Sequence, residues 1–320
     1  MGPILFLCYI NDIFTATSLA TFLFADDTSC LAENKCLNDL ISYVNTELQK
    51  LANWFRANKM AVNISKTKYI IFRTRGKKIN HATLLPVIFN NNEIGQQNDP
   101  LNIFQLERVY NENPSPENRA YKLLGVFFDE YLSFDKHSDY IHAKLSRSLF
   151  CIKRASNKLS LKSLRSLYFA LVHPHLLYCN TILNCTSATN LSKIKKFQKK
   201  AIRIICKAKS NEHTGPLFLE QKILPFDLLS LQSKLIFMHS VHYKYAPHSF
   251  LNTFNLNVTR EIDYNLRNAG AYAVPAVRID LFKRFPLYTF PTAWNGAGNL
   301  KFYSNKTTFL ISLKITSCPE

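Results

Sequence analysis

The sequence predicts an α+β protein in which a short antiparallel sheet with helices comes first and a mostly helical region follows. Three observations predict it. Apolar, partly β-branched or aromatic arms flank a carboxylate pair in Ala20-Thr21-Phe22-Leu23-Phe24-Ala25-Asp26-Asp27-Thr28-Ser29-Cys30-Leu31-Ala32, the pattern of a β-hairpin whose tight turn carries both Asp residues. Leu37, Leu40, Ile41, Val44, Leu48, Leu51 and Phe55 then recur at helical spacing with polar residues between them. Beyond Ser133 the dominant period passes from two to 3.6, which sets a domain boundary there.

In chain order, Pro3 opens an apolar helical stretch that runs to Thr15. At the hairpin the adjacent carboxylates of Asp26 and Asp27 repel each other. A half-buried position for them needs a cation, and a hard divalent ion such as Mg2+ (or Mn2+) suits two oxygen donors. Asp-Asp is also ordinary turn chemistry. The helix over about 34–58 buries its stripe as core and is expected to cover the back of the sheet that presents the pair. A turn then leads into a strand ending at Phe72, with Lys66 just ahead of it as a surface charge or a neutraliser of phosphate. Arg73, Arg75, Lys77 and Lys78 read as a solvent-facing loop.

Pro86-Val87-Ile88-Phe89 and the residues up to Ile94 read as a hairpin, and 95–118 has loop composition, an insertion with no assigned role. Order returns in Tyr121-Lys122-Leu123-Leu124-Gly125-Val126-Phe127-Phe128-Asp129, a strand in which Gly125 either admits a close backbone approach or is tolerated at an edge.

Helices are expected at about 136–158, 160–180, 188–208 and 226–244. In the third, Leu191, Ile194, Phe197, Ala201, Ile202 and Ile205 form the buried face, and Lys193, Lys195, Lys196, Lys199, Lys200, Arg203 and Lys207 crowd the rest. Charge of one sign on a helix repels itself, and a phosphate backbone is its natural partner. His173-Pro174-His175 marks a break in the second helix, and His239 with His242 a surface or core-edge pair in the fourth. Neither pair has Cys or carboxylate companions at zinc-ligand spacing.

With 320 residues, 47% of them hydrophobic, the chain can bury a sizeable core, and its length suggests about two domains. Its formal charge of +18 and pI near 9.5 favour a polyanionic partner, nucleic acid ahead of an acidic membrane surface. No apolar run reaches the roughly 18 residues of a membrane span. The apolar start lacks the basic flank and cleavage site of a signal peptide, so an intracellular protein, nuclear or cytoplasmic and not secreted, is expected. The eight Cys show no Cys-x-x-Cys pairing and fit free thiols.

The tetrad Phe24-Ala25-Asp26-Asp27 between its strands resembles the metal-binding hairpin of reverse transcriptases of non-LTR, jockey-like retrotransposons. Gly2-Pro3 ahead of it, Lys66-Thr67 before a hydrophobic strand, Leu124-Gly125-Val126, the segment from Leu167 to Tyr178, His213-Thr214-Gly215-Pro216, Tyr264-Asn265-Leu266-Arg267-Asn268 and Pro291-Thr292-Ala293-Trp294-Asn295 follow in the family's order. The resemblance implies a partial antiparallel palm sheet with helices over 1–132, with the insertion inside it. It also implies a basic, helical thumb-like domain over 133–250 that holds duplex, and a C-terminal region over 251–320. The implied activity is RNA-directed DNA polymerisation by two-metal nucleotidyl transfer, with RNA template, DNA primer or RNA–DNA hybrid, and deoxynucleoside triphosphate in the intact enzyme. Asp26 would be the main metal ligand and Asp27 a weaker one, Lys66 would lie near the triphosphate, and Leu124 with Gly125 would grip the primer end. The family strand that bears a further metal-binding Asp has no counterpart here, so an incomplete site is expected. The chain alone is then inactive, or a nucleic-acid-binding remnant without catalysis.

Overall fold

The computed structural model describes residues 2–80, 84–90, 103–256 and 271–298. The chain divides into two compact units, one made of residues 1–121 with 129–132 and the other of 122–128 with 133–320. The motif Tyr264-Asn265-Leu266-Arg267-Asn268 and part of the expected insertion lie outside the described residues.

The first unit is built on one long helix. Helix α1 (Gly2–Ile10) runs into a 3-10 turn (Asn11–Thr15), followed by the hairpin strands β1 (Ala20–Phe24) and β2 (Asp27–Leu31) and by α2 (Leu37–Ala57). The amphipathic stripe expected over 34–58 is α2, and it serves two apolar clusters. Leu51 packs with Ile10, Ile13 and Leu19, with Leu48, Trp54 and the hairpin's Leu23 beside them, which sets the helix behind the acidic hairpin. Ile41 and Ala52 pack with Val87, Phe89 and Leu106.

The remaining strands of this unit are short: β3 (Lys68–Ile70), β4 (Ile88–Asn90), β5 (Ile103–Gln105) and β6 (Glu107–Val109). Strand β3 pairs with β6 in parallel, Tyr69 opposite Arg108, and β4 pairs antiparallel with β5, Phe89 opposite Phe104. The α+β class holds, and among the described residues the strands gather as small two-stranded sheets. Three-residue strands offer few ladder bonds, and packing on α2 holds them in place. Strand β4 pairs with β5, fifteen residues further on, and β5 and β6 fall within the stretch read as an insertion, while the residues 91–94 of the expected hairpin lie outside the described residues. Asn118, in the same stretch, is buried and accepts a hydrogen bond from Lys68, so this part of it is structural.

The second unit begins with the paired strands β7 (Tyr121–Leu123) and β8 (Val126–Phe128) and continues with α3 (Asp135–Ala155), α4 (Leu161–Leu171), α5 (His173–Leu177), α6 (Asn180–Leu183), α7 (Ala188–Ile205), α8 (Thr214–Glu220), α9 (Phe226–His242), α10 (His248–Leu251) and α11 (Pro286–Asn295). The second expected helix is broken at Val172, because Pro174 brings no N–H to continue the ladder and instead starts α5. Ile141, Leu145 and Ile152 of α3, Leu164 and Tyr168 of α4, and Ile194, Ile202 and Ile205 of α7 form one core with the start of α9. A second core joins Leu235, Met238 and Val241 of α9 to Phe290 and Trp294 of α11. His239 sits in that core fully buried, deeper than a core-edge position.

Candidate functional site

The acidic hairpin turns on two residues, Ala25 and Asp26, with Phe24 opposite Asp27 in the register. Two-residue hairpin turns that match strand twist need positive φ at their first central position, and Ala25 takes it at 53°. An alanine there costs about 1–2 kcal/mol that a glycine would not. Asp26 therefore stands in the turn, whereas Asp27 opens β2, and both carboxylates are exposed, not half-buried as the charge argument assumed. A two-residue loop leaves no room for a wall on either side of them.

The approach to the hairpin is fixed by Glu47, which α2 carries on its buried face. Its carboxylate accepts from Thr17 Oγ1 at 2.8 Å, from the Ser18 amide at 2.6 Å and from Lys50 Nζ at 2.6 Å. The bond from Lys50, then that from the Ser18 amide, pull its pKa down to about 2. Sequence reasoning passed over this residue. The available signal was an acid three residues after Val44 and four before Leu51, on the apolar stripe itself.

Among the described residues no three His, Cys, Asp or Glu side chains gather as a metal site. Among the described residues Asp26 and Asp27 supply two carboxylates without a third, which does not fit a two-ion centre.

Lys66 ends a 3-10 turn (Ile64–Lys66) whose first amide bonds close on Asn63, the side chain of Asn63 accepting from the Lys66 amide at 3.3 Å. Its ammonium is exposed, one residue before Thr67 and two before β3. The basic run after β3 departs from expectation. Arg73 does not face solvent: its guanidinium donates to Glu130 at 2.9 and 3.3 Å and to the Tyr131 hydroxyl at 2.9 Å, its side chain 7% exposed. Arg108 reaches the same fully buried carboxylate at 3.4 Å. A buried carboxylate needs such partners, and the two arginines supply them.

In the second unit, Leu124 and Gly125 are the turn between β7 and β8, not the interior of one strand. Both have positive φ, 45° and 85°, as a two-residue hairpin turn of the I′ kind requires. Beside Gly125 stands Tyr178: a Cβ on Gly125 would lie in van der Waals contact with that ring, at 3.4 Å. The Tyr178 hydroxyl also donates to the Leu124 carbonyl, so α5 and its exit residue hold the turn.

Helix α7 is capped by Ser187, whose side chain accepts from the Asn190 amide at 3.3 Å. Ile194, Ala201, Ile202 and Ile205 are buried as expected, with Leu191 and Phe197 partly so. The buried face also holds Gln198, which donates to the Tyr168 hydroxyl and the Leu224 carbonyl, both at 2.9 Å, and accepts from the Phe226 amide at 2.7 Å. Of the basic set, Lys193, Lys196, Lys199, Lys200 and Lys207 are exposed. Lys195 is committed to Asp227 at 2.6 Å, and Arg203 donates to the Glu212 carbonyl at 2.8 and 3.0 Å, so two of the seven are engaged within the unit.

The chain is 24% identical over 215 residues to a probable RNA-directed DNA polymerase from transposon X-element of Drosophila melanogaster, a match that covers 64% of this chain and 21% of that protein. It is 23% identical over 217 residues to the RNA-directed DNA polymerase from mobile element jockey of the same fly, with the same coverage of each. The chain is similar over about two thirds of its length to RNA-directed DNA polymerases of mobile elements. A probable RNA-directed DNA polymerase from transposon BS, also of Drosophila melanogaster, matches at 25% over 219 residues, 64% of this chain and 21% of that polymerase. The chain thus spans about a fifth of the length of these polymerases. No protein-family model matches it, and no solved structure matches at the stringency these relatives meet.

Proposed function

We propose that this chain is the hairpin-and-helical portion of a retrotransposon reverse transcriptase, and that it holds an RNA–DNA duplex without completing nucleotidyl transfer on its own. The observation that supports the reading most is the acidic tetrad at the tip of a tight hairpin in a chain related to RNA-directed DNA polymerases. A helix interior would have been incompatible with metal-assisted transfer. A tip leaves both carboxylates open to a divalent cation. Exposed Lys66 has the chemistry to neutralise a leaving pyrophosphate, and Leu124 with Gly125 would present backbone to a primer end. Lys196, Lys199 and Lys200 of α7 would contact the duplex backbone with little sequence preference, because phosphate contacts carry no base information.

Catalysis is where the reading divides between an active polymerase and a binding remnant. Two-ion transfer needs ions about 4 Å apart, clamped by carboxylates that converge from more than one strand. Asp26 in the turn and Asp27 at the start of β2 both come from one hairpin, not from separate strands. Primer extension on an RNA template with Mg2+ or Mn2+ tests this directly. The expected result is no deoxynucleotide incorporation by purified residues 1–320; robust incorporation abolished by Asp26→Ala would overturn the claim.

A further inference from the structure

From Tyr140 to Asn211 the chain has no Asp or Glu and fifteen Lys or Arg. That segment is more than α7: it includes nearly all of α3, whose solvent side sequence reasoning did not single out. Ile141, Leu145, Ser148 and Ile152 turn α3 to the core. Arg147, Phe150 and Arg154 return at intervals of three and four residues on the solvent side, a stripe about 10 Å long at 1.5 Å per residue, while Tyr140 and Lys144, earlier on the helix, are half-buried and Tyr140 packs against the core.

The stripe sets a ring between cations. Lys122 of β7 and Lys144 stand 5.2 and 5.5 Å from the Tyr140 ring centroid, and Arg154 stands 5.6 Å from that of Phe150. Phe150 is 59% exposed although it lies mid-helix, where a polar residue would cost nothing. A pairing of Arg154 with Phe150 one turn away stabilises a helix only slightly. It leaves unexplained why this segment of fifteen cations carries no carboxylate of its own, Lys195 being paired with Asp227 from outside it. An exposed ring set between exposed cations has the chemistry of a single-strand platform: a base stacks on the ring while the backbone follows the charge.

We propose that the exposed face of α3, centred on Phe150 and flanked by Arg147 and Arg154, binds single-stranded nucleic acid by base stacking. This extends the proposed duplex-holding role of α7 to a second helix and a different strand form, and it rests on that reading only for the nature of the polyanion. Duplex offers its phosphates but keeps its bases stacked inside, so Phe150 gains little from it.

The test measures binding of the full chain to a short oligo(dT) and to an RNA–DNA hybrid at fixed salt, by fluorescence anisotropy. Phe150→Ala should weaken oligo(dT) binding about tenfold and leave the hybrid within about twofold, since stacking is worth about 1–3 kcal/mol per base. Phe150→Trp should restore oligo(dT) binding. An oligo(dT) affinity unmoved by Phe150→Ala, or both ligands weakened equally, would overturn the proposal. So would a variant that loses binding to phosphatidylserine vesicles and keeps oligo(dT), which would make the face a lipid surface. Phe150 is exposed, so the variant should fold, and a second readout needs no variant. Cys151, exposed on the same face, should react more slowly with a maleimide when oligo(dT) is bound, while exposed Cys36 keeps its rate. Equal rates with and without oligo(dT) would count against the site. Binding of oligo(dT) through Phe150 without any hybrid binding would support this site while ending the duplex-holding role.

Discussion

At the scale of single residues, Glu47 shows how a charge placed on an apolar stripe becomes structural. It is 3% exposed, yet it stays ionised because three donors converge on it. Its folded pKa of about 2 lies below its ordinary 4.5, so it stabilises the fold fully above the ordinary value and loses that contribution as pH falls from about 4.5 towards 2. Glu47→Gln keeps the shape and removes the charge. The midpoint of urea unfolding should be lower for this variant at neutral pH and should converge on the parent's as acid protonates Glu47. A constant gap between the two across that range would mean that Glu47 acts by packing alone. The effect should reach the acidic hairpin, because the loop that Glu47 ties down, Thr17 and Ser18, leads directly into β1.

At the scale of elements, α7 is fastened by a polar residue where only apolar ones were expected. Gln198 joins α4 through Tyr168, the link ahead of α9 through Leu224, and α9 through the Phe226 amide. Gln198→Leu fills the same space but strands a buried amide, a carbonyl and a hydroxyl. Each costs about 1–3 kcal/mol when left without a partner. The melting temperature should therefore drop by several degrees, while Lys199→Leu at the next position should leave it nearly unchanged. Apolar spacing made α2, α3, α7 and α9 legible in the sequence, since each buries a continuous stripe. The acidic turn was legible too, because apolar arms with aromatic and β-branched residues flank the Asp pair. What periodicity missed was short and non-local: β5 and β6 are three residues each, and their partners lie far along the chain. Arg73 was taken as a surface charge because its counter-charge, Glu130, is 57 residues away. Such pairings leave no local pattern to read.

At the scale of the whole molecule, charge is unevenly placed. Residues 1–132 hold thirteen Lys or Arg against thirteen Asp or Glu, whereas 140–211 hold fifteen cations and no acid, within a net charge of +18. The chain's affinity for a polyanion should accordingly reside in its helical unit, and the acidic hairpin should add little to it. Counterion release gives the measurement. On B-form DNA the logarithm of the binding constant falls with the logarithm of salt by about 0.9 for each phosphate neutralised. Lys196 and Lys200 on α7 are exposed, as are Lys77 and Lys78 in the first unit, so replacing either pair by Gln removes the same charge without touching a core. Full-length chains carrying Lys196→Gln with Lys200→Gln should lose about two units of slope, while Lys77→Gln with Lys78→Gln should keep the parent's slope. If the two double variants flatten the salt dependence equally, net charge alone governs binding and the helical unit is no interface. A fall confined to the α7 pair instead places the phosphates against that helix, and the remaining slope then counts the contacts made by other cations.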